Sequence, residues 1–483
     1  MKSIGFFIFR RDLRLIDNLA LIKLQTNVDM IIPLFILNKD QITLTDTNKY
    51  FFSSNAVQFI CESLVDLNTQ LTNIGSILLL LYGKLDIVIS SLFSFIKSIK
   101  HKYNIVIGYN SDFSNKAKYR DKLIDTLAKK DNITIIKSTD DYSLVPINKL
   151  HKIDNTGYKQ FGAFYKNIIK YKVHLPDHTK INFATNSFIT GLQHNVDHYF
   201  NIKNINKFYK TNKYLAQNGG RTNALKKIKD LYKFKKYNLY KNMLDYSTTN
   251  LSAYLNMGCL SIREVYYSIK KILGLRNDLI RQLYWRDFYL QAYCFINNAN
   301  KFAHIDNRYN KINWSNDHSL WNTLINSKTG FLLIDAAMNQ LKITGFMHNR
   351  ARILVGHFWT KYLLIDPFHK KYGSQVGFSK YLVDAIGPTQ NKLNNQWITE
   401  FDYAGKKYAP KNIPLAGRPI NVSNKIIYKY DPNCLYIKKW LPHLKQYTIK
   451  ELANWKGNKE HPGPIFNYKI KYNEWIKKCK EKN

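Results

Sequence analysis

The sequence predicts a parallel, Rossmann-like α/β domain followed by a larger all-α domain, and three observations carry that prediction. Short apolar runs at 4–9 (IGFFIF), 30–36 (MIIPLFI), 76–82 (SILLLLY) and 103–108 (YNIVIG) alternate with helix-like stretches, as in a parallel sheet with crossover helices. Later in the chain the apolar residues recur every three or four positions, in LIRQLYWRDFYLQAYCFI and GFLLIDAAMNQLKITGF, which is the period of helices. At 483 residues the chain is too long for one compact core, so two domains are the natural division. The expected boundaries are 1–135 for the α/β domain, 136–215 for a polar, basic, Asn-rich linker, and 216–483 for the helical domain.

Taken in order, MKSIGFFIFRRDLRL passes from a short apolar run straight into charges. It reads as a first strand and not as a signal peptide. No run of eighteen apolar residues occurs, so no membrane span is expected. The α/β part carries neither GxGxxG nor a P-loop. NGGRTNALKKI (218–228) reads as a turn feeding a helix. TGFMHNRARILVGHFW (344–359) reads as one amphipathic helix, yet its middle carries Asn349, Arg350 and Arg352 among apolar neighbours. Buried charges without partners cost several kcal/mol, so something anionic or strongly polar should lie beside them.

Charge is the most one-sided number: 73 Lys+Arg against 34 Asp+Glu, a net of +39. Such an excess attracts polyanions, nucleic acid first among them. Abundant Lys, Asn, Ile and Tyr also follow from A/T-rich codons, so charge alone leaves both explanations open. The five cysteines (Cys61, Cys259, Cys294, Cys434 and Cys479) are scattered without a CxxC. That fits a reducing compartment (cytoplasm, nucleus or virion) and argues against secretion and against a zinc or iron–sulfur site. No metal is expected.

Several stretches then fall into a recognisable order: IGFFIFRRDLRLIDNLAL, GGRTNALKKI, TTNLSAYLNMGCLS, RQLYWRDFY, KTGFLLIDAAMNQLKITGFMHNRARI, QNKLNNQW and YDPNCLYIKKWLPHL. Together they resemble the photolyase/cryptochrome family, most closely its cyclobutane pyrimidine dimer photolyases, over nearly the whole chain. The resemblance implies FAD folded into a U within the helical domain, and light-driven electron transfer to UV-damaged DNA, single- or double-stranded, by a monomer. It leaves open a second, light-harvesting chromophore (a folate, a deazaflavin or none) near YNSDFSNKAKYRD (109–121).

Carried over residue by residue, Asn349 and Arg352 face the flavin; they lie three apart and share a helix face, while Arg350 points about 100° away, toward the DNA-facing cavity. Thr248, Thr249, Leu251 and Ser252 match the pyrophosphate-holding segment, with Asn250 where the family usually has Arg. Tyr237 is a further flavin contact and Arg286 lies beside the ring. Asn391 falls where an Asn amide meets flavin N5, and Asp384 where a carboxylate pairs with Arg352. Gly387 stands where a second acidic residue is usual. Trp285, Gln282 and Trp397 line the lesion pocket, where an aromatic face suits a flipped-out base. Gln282 replaces the Glu of most dimer photolyases: it can bond a pyrimidine edge but cannot donate a carboxylic-acid proton. The residues expected to act in the reaction itself are thus Gln282, Trp285, Asn349, Asn391 and Trp397.

The family's three-tryptophan relay to the surface is interrupted. Its outer member matches Trp314, but the middle position falls on Pro367 and the proximal one on Asn395. Trp359 and Tyr362 are candidate substitutes, and both also read as plain core aromatics. Two other functions stay open. Repair of the (6-4) photoproduct is disfavoured because Asn349 and Ile353 stand where that branch has histidines. A cryptochrome-like blue-light receptor without repair is the alternative from another class.

Overall fold

The computed structural model describes residues 1–43, 52–296, 310–384 and 419–481. A parallel sheet is formed by β1 (Ser3–Phe9), β2 (Met30–Asn38), β3 (Leu79–Gly83), β4 (Asn104–Asn110) and β5 (Thr134–Ser138), in the order β3-β2-β1-β4-β5. Central β1 is buried from Ile4 onward, with Ile4 in register with Met30 on one side and Ile105 on the other. Four of these strands carry the apolar runs seen in the sequence. The fifth, TIIKS, is short, lies at the sheet edge and is only partly covered, so it has no long apolar run to announce it. It also straddles residue 135.

Helices α1 (Leu19–Gln25), α2 (Ser54–Thr72), α3 (Leu85–Ile99) and α4 (Asn115–Lys130) connect the strands. Asn18, Ser53 and Ser114 cap three of them by accepting a backbone N–H. Ile4, Phe6 and Ile8 pack on one side of the sheet with α3 and α4. Phe7 and Phe9 face the other side, in a core that runs on through α2 into Tyr254, Tyr284 and Phe288.

The stretch after β5 is not bare chain. It contains α5 (Phe161–Ile168), whose Phe161, Phe164 and Ile168 join that same core. The helical part comprises, among others, α6 (Arg221–Lys229), α7 (Ser252–Met257), α8 (Ile262–Leu273), α9 (Asp278–Phe295), α10 (Leu332–Thr344), α11 (Asn349–His357) and α12 (Tyr468–Glu481). No helix among the described residues is long and apolar enough to cross a membrane.

Residues 344–359 are not one helix. Helix α10 stops at Thr344, Gly345 takes a left-handed conformation (φ 65°), and α11 begins afresh at Asn349. A Cβ on Gly345 would come within 2.7 Å of Asn55 Nδ2, so the chain turns where only glycine fits. The polar triplet therefore sits in the first turn of a short helix and not mid-helix.

Sheet and helices are joined by buried charge. Arg14 binds Asp141 through both carboxylate oxygens at 2.7 and 2.8 Å, and donates to the Gly258 carbonyl at 3.2 Å. Arg263 of α8 meets Asp17 at 2.9 Å, and Ser261 donates to the same carboxylate. All four charged residues are less than 5% exposed. Gly258 closes α7 at φ 67°, and its position leaves no room for a side chain, because a Cβ would lie 2.1 Å from the Arg11 carbonyl oxygen.

Candidate functional site

The first turn of α11 sets the site. His348 caps the helix, its Nδ1 accepting the Arg350 N–H at 3.1 Å. Burial, with Arg350 and Arg352 nearby, pushes its pKa down to about 4, so the ring is neutral and able to accept. Asn349 is exposed. Arg350 is half-buried and donates from Nε to Asn242 Oδ1 at 2.7 Å. Half-buried Tyr237 lies within the electrostatic reach of Arg350 and Asp278, and burial raises its phenol to about 12.

Arg352 is buried and held from both ends of its guanidinium group. Nε donates to the Met347 carbonyl at 2.8 Å, Nη2 meets Asp384 Oδ2 at 3.1 Å, and the guanidinium lies 5.5 Å from the Phe346 ring centre. Asp384 keeps its other oxygen, Oδ1, buried and without a partner among the described residues. The Asp384 carbonyl accepts from Asn256 Nδ2 at 3.0 Å. Arg11, at the end of the first strand, binds the Asn256 carbonyl at 3.0 Å and its Oδ1 at 3.2 Å, and then pairs with Asp112 at 3.0 Å. A polar chain thus crosses from α11 into the sheet domain.

Thr248, Thr249, Leu251 and Ser252 lead into α7. Leu251 is buried at the position before the helix, Ser252 is exposed at its first residue, and the two threonines are half-buried. None of these hydroxyls caps the helix. Thr248 instead donates to Asn250 Oδ1 at 3.2 Å, and Asn250 holds φ at 52°, a region that Asn tolerates better than most residues.

On α9, Gln282 is exposed and Trp285 half-buried. One face of Trp285 lies on Phe161, with centroids 3.7 Å apart and planes within 5°. Phe288 meets its edge at 5.6 Å. The next residue, Arg286, donates to the carbonyls of Tyr142 and Leu255. Burial lowers its pKa to about 10. Asp287 is also buried; it accepts the Leu144 N–H at 2.9 Å, and burial raises its pKa to about 7. Trp314 lies elsewhere, half-buried with its ring 6.1 Å from that of the fully buried Trp475. Asn391 and Trp397 fall outside the described residues, as do Gly387 and Asn395.

Phe161, Asn242, Asn256 and Arg11 were not singled out from the sequence. Phe161 left a signal in the aromatic spacing of QFGAFY, and Arg11 and Asn256 lie within stretches that carry the family resemblance. Asn242, Asn256 and Arg11 act by folding onto distant residues.

A family model described as DNA photolyase matches residues 6–180, and one described as the FAD binding domain of DNA photolyase matches residues 279–482. The chain belongs to the photolyase/cryptochrome family. Among photolyase relatives, the deoxyribodipyrimidine photo-lyase of Buchnera aphidicola subsp. Baizongia pistaciae is 27% identical over 498 aligned positions, covering 96% of each chain. The chloroplastic/mitochondrial cryptochrome DASH of Solanum lycopersicum is 28% identical over 92% of this chain and 78% of its own. The crystal structure of the archaeal photolyase from Sulfolobus tokodaii, which contains two FAD molecules, superposes with a TM-score of 0.81 at 28% identity, over 99% of this chain and 100% of that one.

Membership in the photolyase/cryptochrome family brings FAD as cofactor, and the residues present fit it. A flavin edge carries N–H donors beside carbonyl acceptors. Asp384 Oδ1 is a buried acceptor lacking a donor, next to the guanidinium of Arg352, and an orphaned buried carboxylate oxygen is costly unless a ligand completes it.

Proposed function

We propose that this protein repairs cyclobutane pyrimidine dimers in DNA in a light-dependent reaction, as a deoxyribodipyrimidine photo-lyase. The observation that carries the reading is the pairing of two features: the buried Arg352–Asp384 ion pair with its unfilled acceptor oxygen, and the part-exposed, ring-backed indole of Trp285 on α9. Reduced FAD, when bound, supplies the photoexcited electron that splits the cyclobutane ring. Everything else is the chain's work.

Arg352, Asp384, Asn349 and Asn391 orient the flavin ring, with Tyr237 and Arg286 as neighbouring contacts. Thr248, Thr249, Leu251 and Ser252 hold its pyrophosphate. Trp285 and Trp397 stack the extruded bases, Gln282 accepts or donates at the pyrimidine edge, and Arg350 reaches toward the DNA. The excess of Lys and Arg, +39 overall, binds phosphates and makes affinity fall with salt. At α11 the positions of the two histidines needed for (6-4) repair hold Asn349 and Ile353, and His348 is neutral and spent on capping. A second, light-harvesting chromophore is consistent with the two FAD molecules of the Sulfolobus tokodaii photolyase.

The cryptochrome DASH relatives favour one other reading, a blue-light receptor without repair. Chemically reduced protein incubated with oligonucleotides carrying either one cyclobutane dimer or one (6-4) lesion, in the dark and under blue light, decides between them. Light-dependent reversal of the dimer alone is the expected result. Flavin-loaded protein that reverses neither lesion overturns the repair reading.

A further inference from the structure

Behind Trp285 the aromatic stack continues. Phe161, lying flat on the indole, also stacks on Tyr165 with centroids 5.4 Å apart and planes at 17°. Arg281 sits over both rings of this pair, its guanidinium carbon 5.3 Å from the Phe161 centre and 5.5 Å from that of Tyr165. Arg281 and Trp285 are four residues apart on α9 and therefore share a helix face. One small helix, α5, thus touches two residues of α9 at once.

Unlike the arginines of the site, Arg281 has its hydrogen-bonding capacity unspent. Arg263, Arg286, Arg350 and Arg352 all donate to carboxylates, carbonyls or an amide. Arg281 is exposed, and among the described residues its guanidinium lies on two ring faces and makes no hydrogen bond or ion pair. A guanidinium held against rings keeps its N–H edges free, and those edges match phosphate oxygens.

We propose that Arg281 grips a DNA phosphate at the rim of the base-stacking pocket, and that Phe161 and Tyr165 are positioning residues that hold Arg281 and Trp285 in register with each other. The proposal rests on the reading of Trp285 as the surface on which a flipped base stacks. The rings restrict both side chains before DNA arrives, so less freedom is lost on binding. Phosphate and base are then recognised as one unit: the phosphate contact sets position and the stacking contact reads the lesion.

The test is equilibrium binding of the full-length, flavin-loaded protein to two labelled duplexes that differ only by one cyclobutane dimer, between about 50 and about 200 mM salt. Arg281→Gln is expected to weaken both duplexes by a similar factor, roughly three- to tenfold at low salt, and to reduce the log–log salt slope by about one. Arg281→Lys should retain the slope while recovering only part of the affinity. Phe161→Leu is expected to shrink the preference for the dimer duplex. Unchanged flavin content and melting temperature establish that each variant is folded. An Arg281→Gln variant with the wild-type salt slope rejects the phosphate contact, and a Phe161→Leu variant with undiminished dimer preference rejects the positioning role. If wild type itself shows no dimer preference, the repair reading fails, while the slope measured on undamaged duplex still decides the role of Arg281.

Discussion

Asp384 holds Arg352 at 3.1 Å through one carboxylate oxygen and keeps the other buried and unfilled. An ion pair that is half satisfied inside a protein is prepared for a further partner, and removing one member strands the other. Asp384→Ala is therefore expected to destabilise the protein by about 3 kcal/mol and to lower bound FAD per polypeptide. Chemical denaturation and the ratio of flavin to protein absorbance measure the two effects. A variant that retains stoichiometric FAD would show that the unfilled oxygen is not a flavin contact.

Trp285→Ala removes the stacking face. A base stacked on an aromatic side chain is worth roughly 1–3 kcal/mol, so affinity for dimer-containing DNA should fall about 5- to 150-fold with undamaged DNA little affected. Competition binding with both DNAs reads this directly.

His348 and Asp287 give opposite pH dependences. The folded pKa of His348 is about 4, below the ordinary 6.5 of the unfolded chain. The unfolded state therefore binds more protons, and stability is lost as pH falls from 6.5 toward 4. His348→Asn keeps a capping side chain and should abolish this loss.

For Asp287 the folded pKa is about 7 against 3.8 unfolded. Here the folded state binds more protons, so stability falls as pH rises from about 4 to about 7, by at most on the order of 4 kcal/mol. Asp287→Asn is expected to be more stable than wild type at pH 8 and to lose that advantage at pH 4. Urea midpoints at the two pH values test the sign. The two windows overlap, so wild type shows a shallow profile that each variant steepens in its own direction.

We propose that photoreduction of oxidised FAD is slow, because the family resemblance aligns Pro367 with the middle tryptophan of the relay whose outer member matches Trp314. Trp314 neighbours Trp475, and Trp359 is buried with its indole N–H on the Tyr372 carbonyl at 2.7 Å. Trp314→Phe is expected to leave the rate of flavin bleaching under blue light with an external reductant unchanged. A marked slowing would mean that an intact route runs through Trp314.

The four apolar runs of the sheet could be read because strands covered on both sides need continuous hydrophobic sequence. Strand β5 could not, because its faces are only partly covered and it can do without such a run. The break at Gly345 was hidden because helical spacing runs on either side of it; the turn comes from Gly345 closing α10 in a left-handed conformation, its N–H on the Leu341 carbonyl. At the site, family motifs located α11 and α9, where Arg352 and Trp285 lie. What the motifs did not show were the contacts made from afar: Asn256 reaching the Asp384 carbonyl and Arg11 reaching Asn256, Asn242 holding Arg350, and Phe161 behind Trp285. Such partners are set by tertiary approach, and no local period encodes them.

The buried pair Arg263–Asp17, which ties α8 to the segment after the first strand, has a consequence for how such a protein can change over generations. Each charge is neutralised by a group anchored in another part of the chain, and an orphan left inside costs several kcal/mol. A half exchanged by recombination with an unrelated gene would arrive without its counter-charge and would be destabilised by about that amount. The sheet domain and the helical domain are therefore inherited together, and novelty has to come through substitution in place.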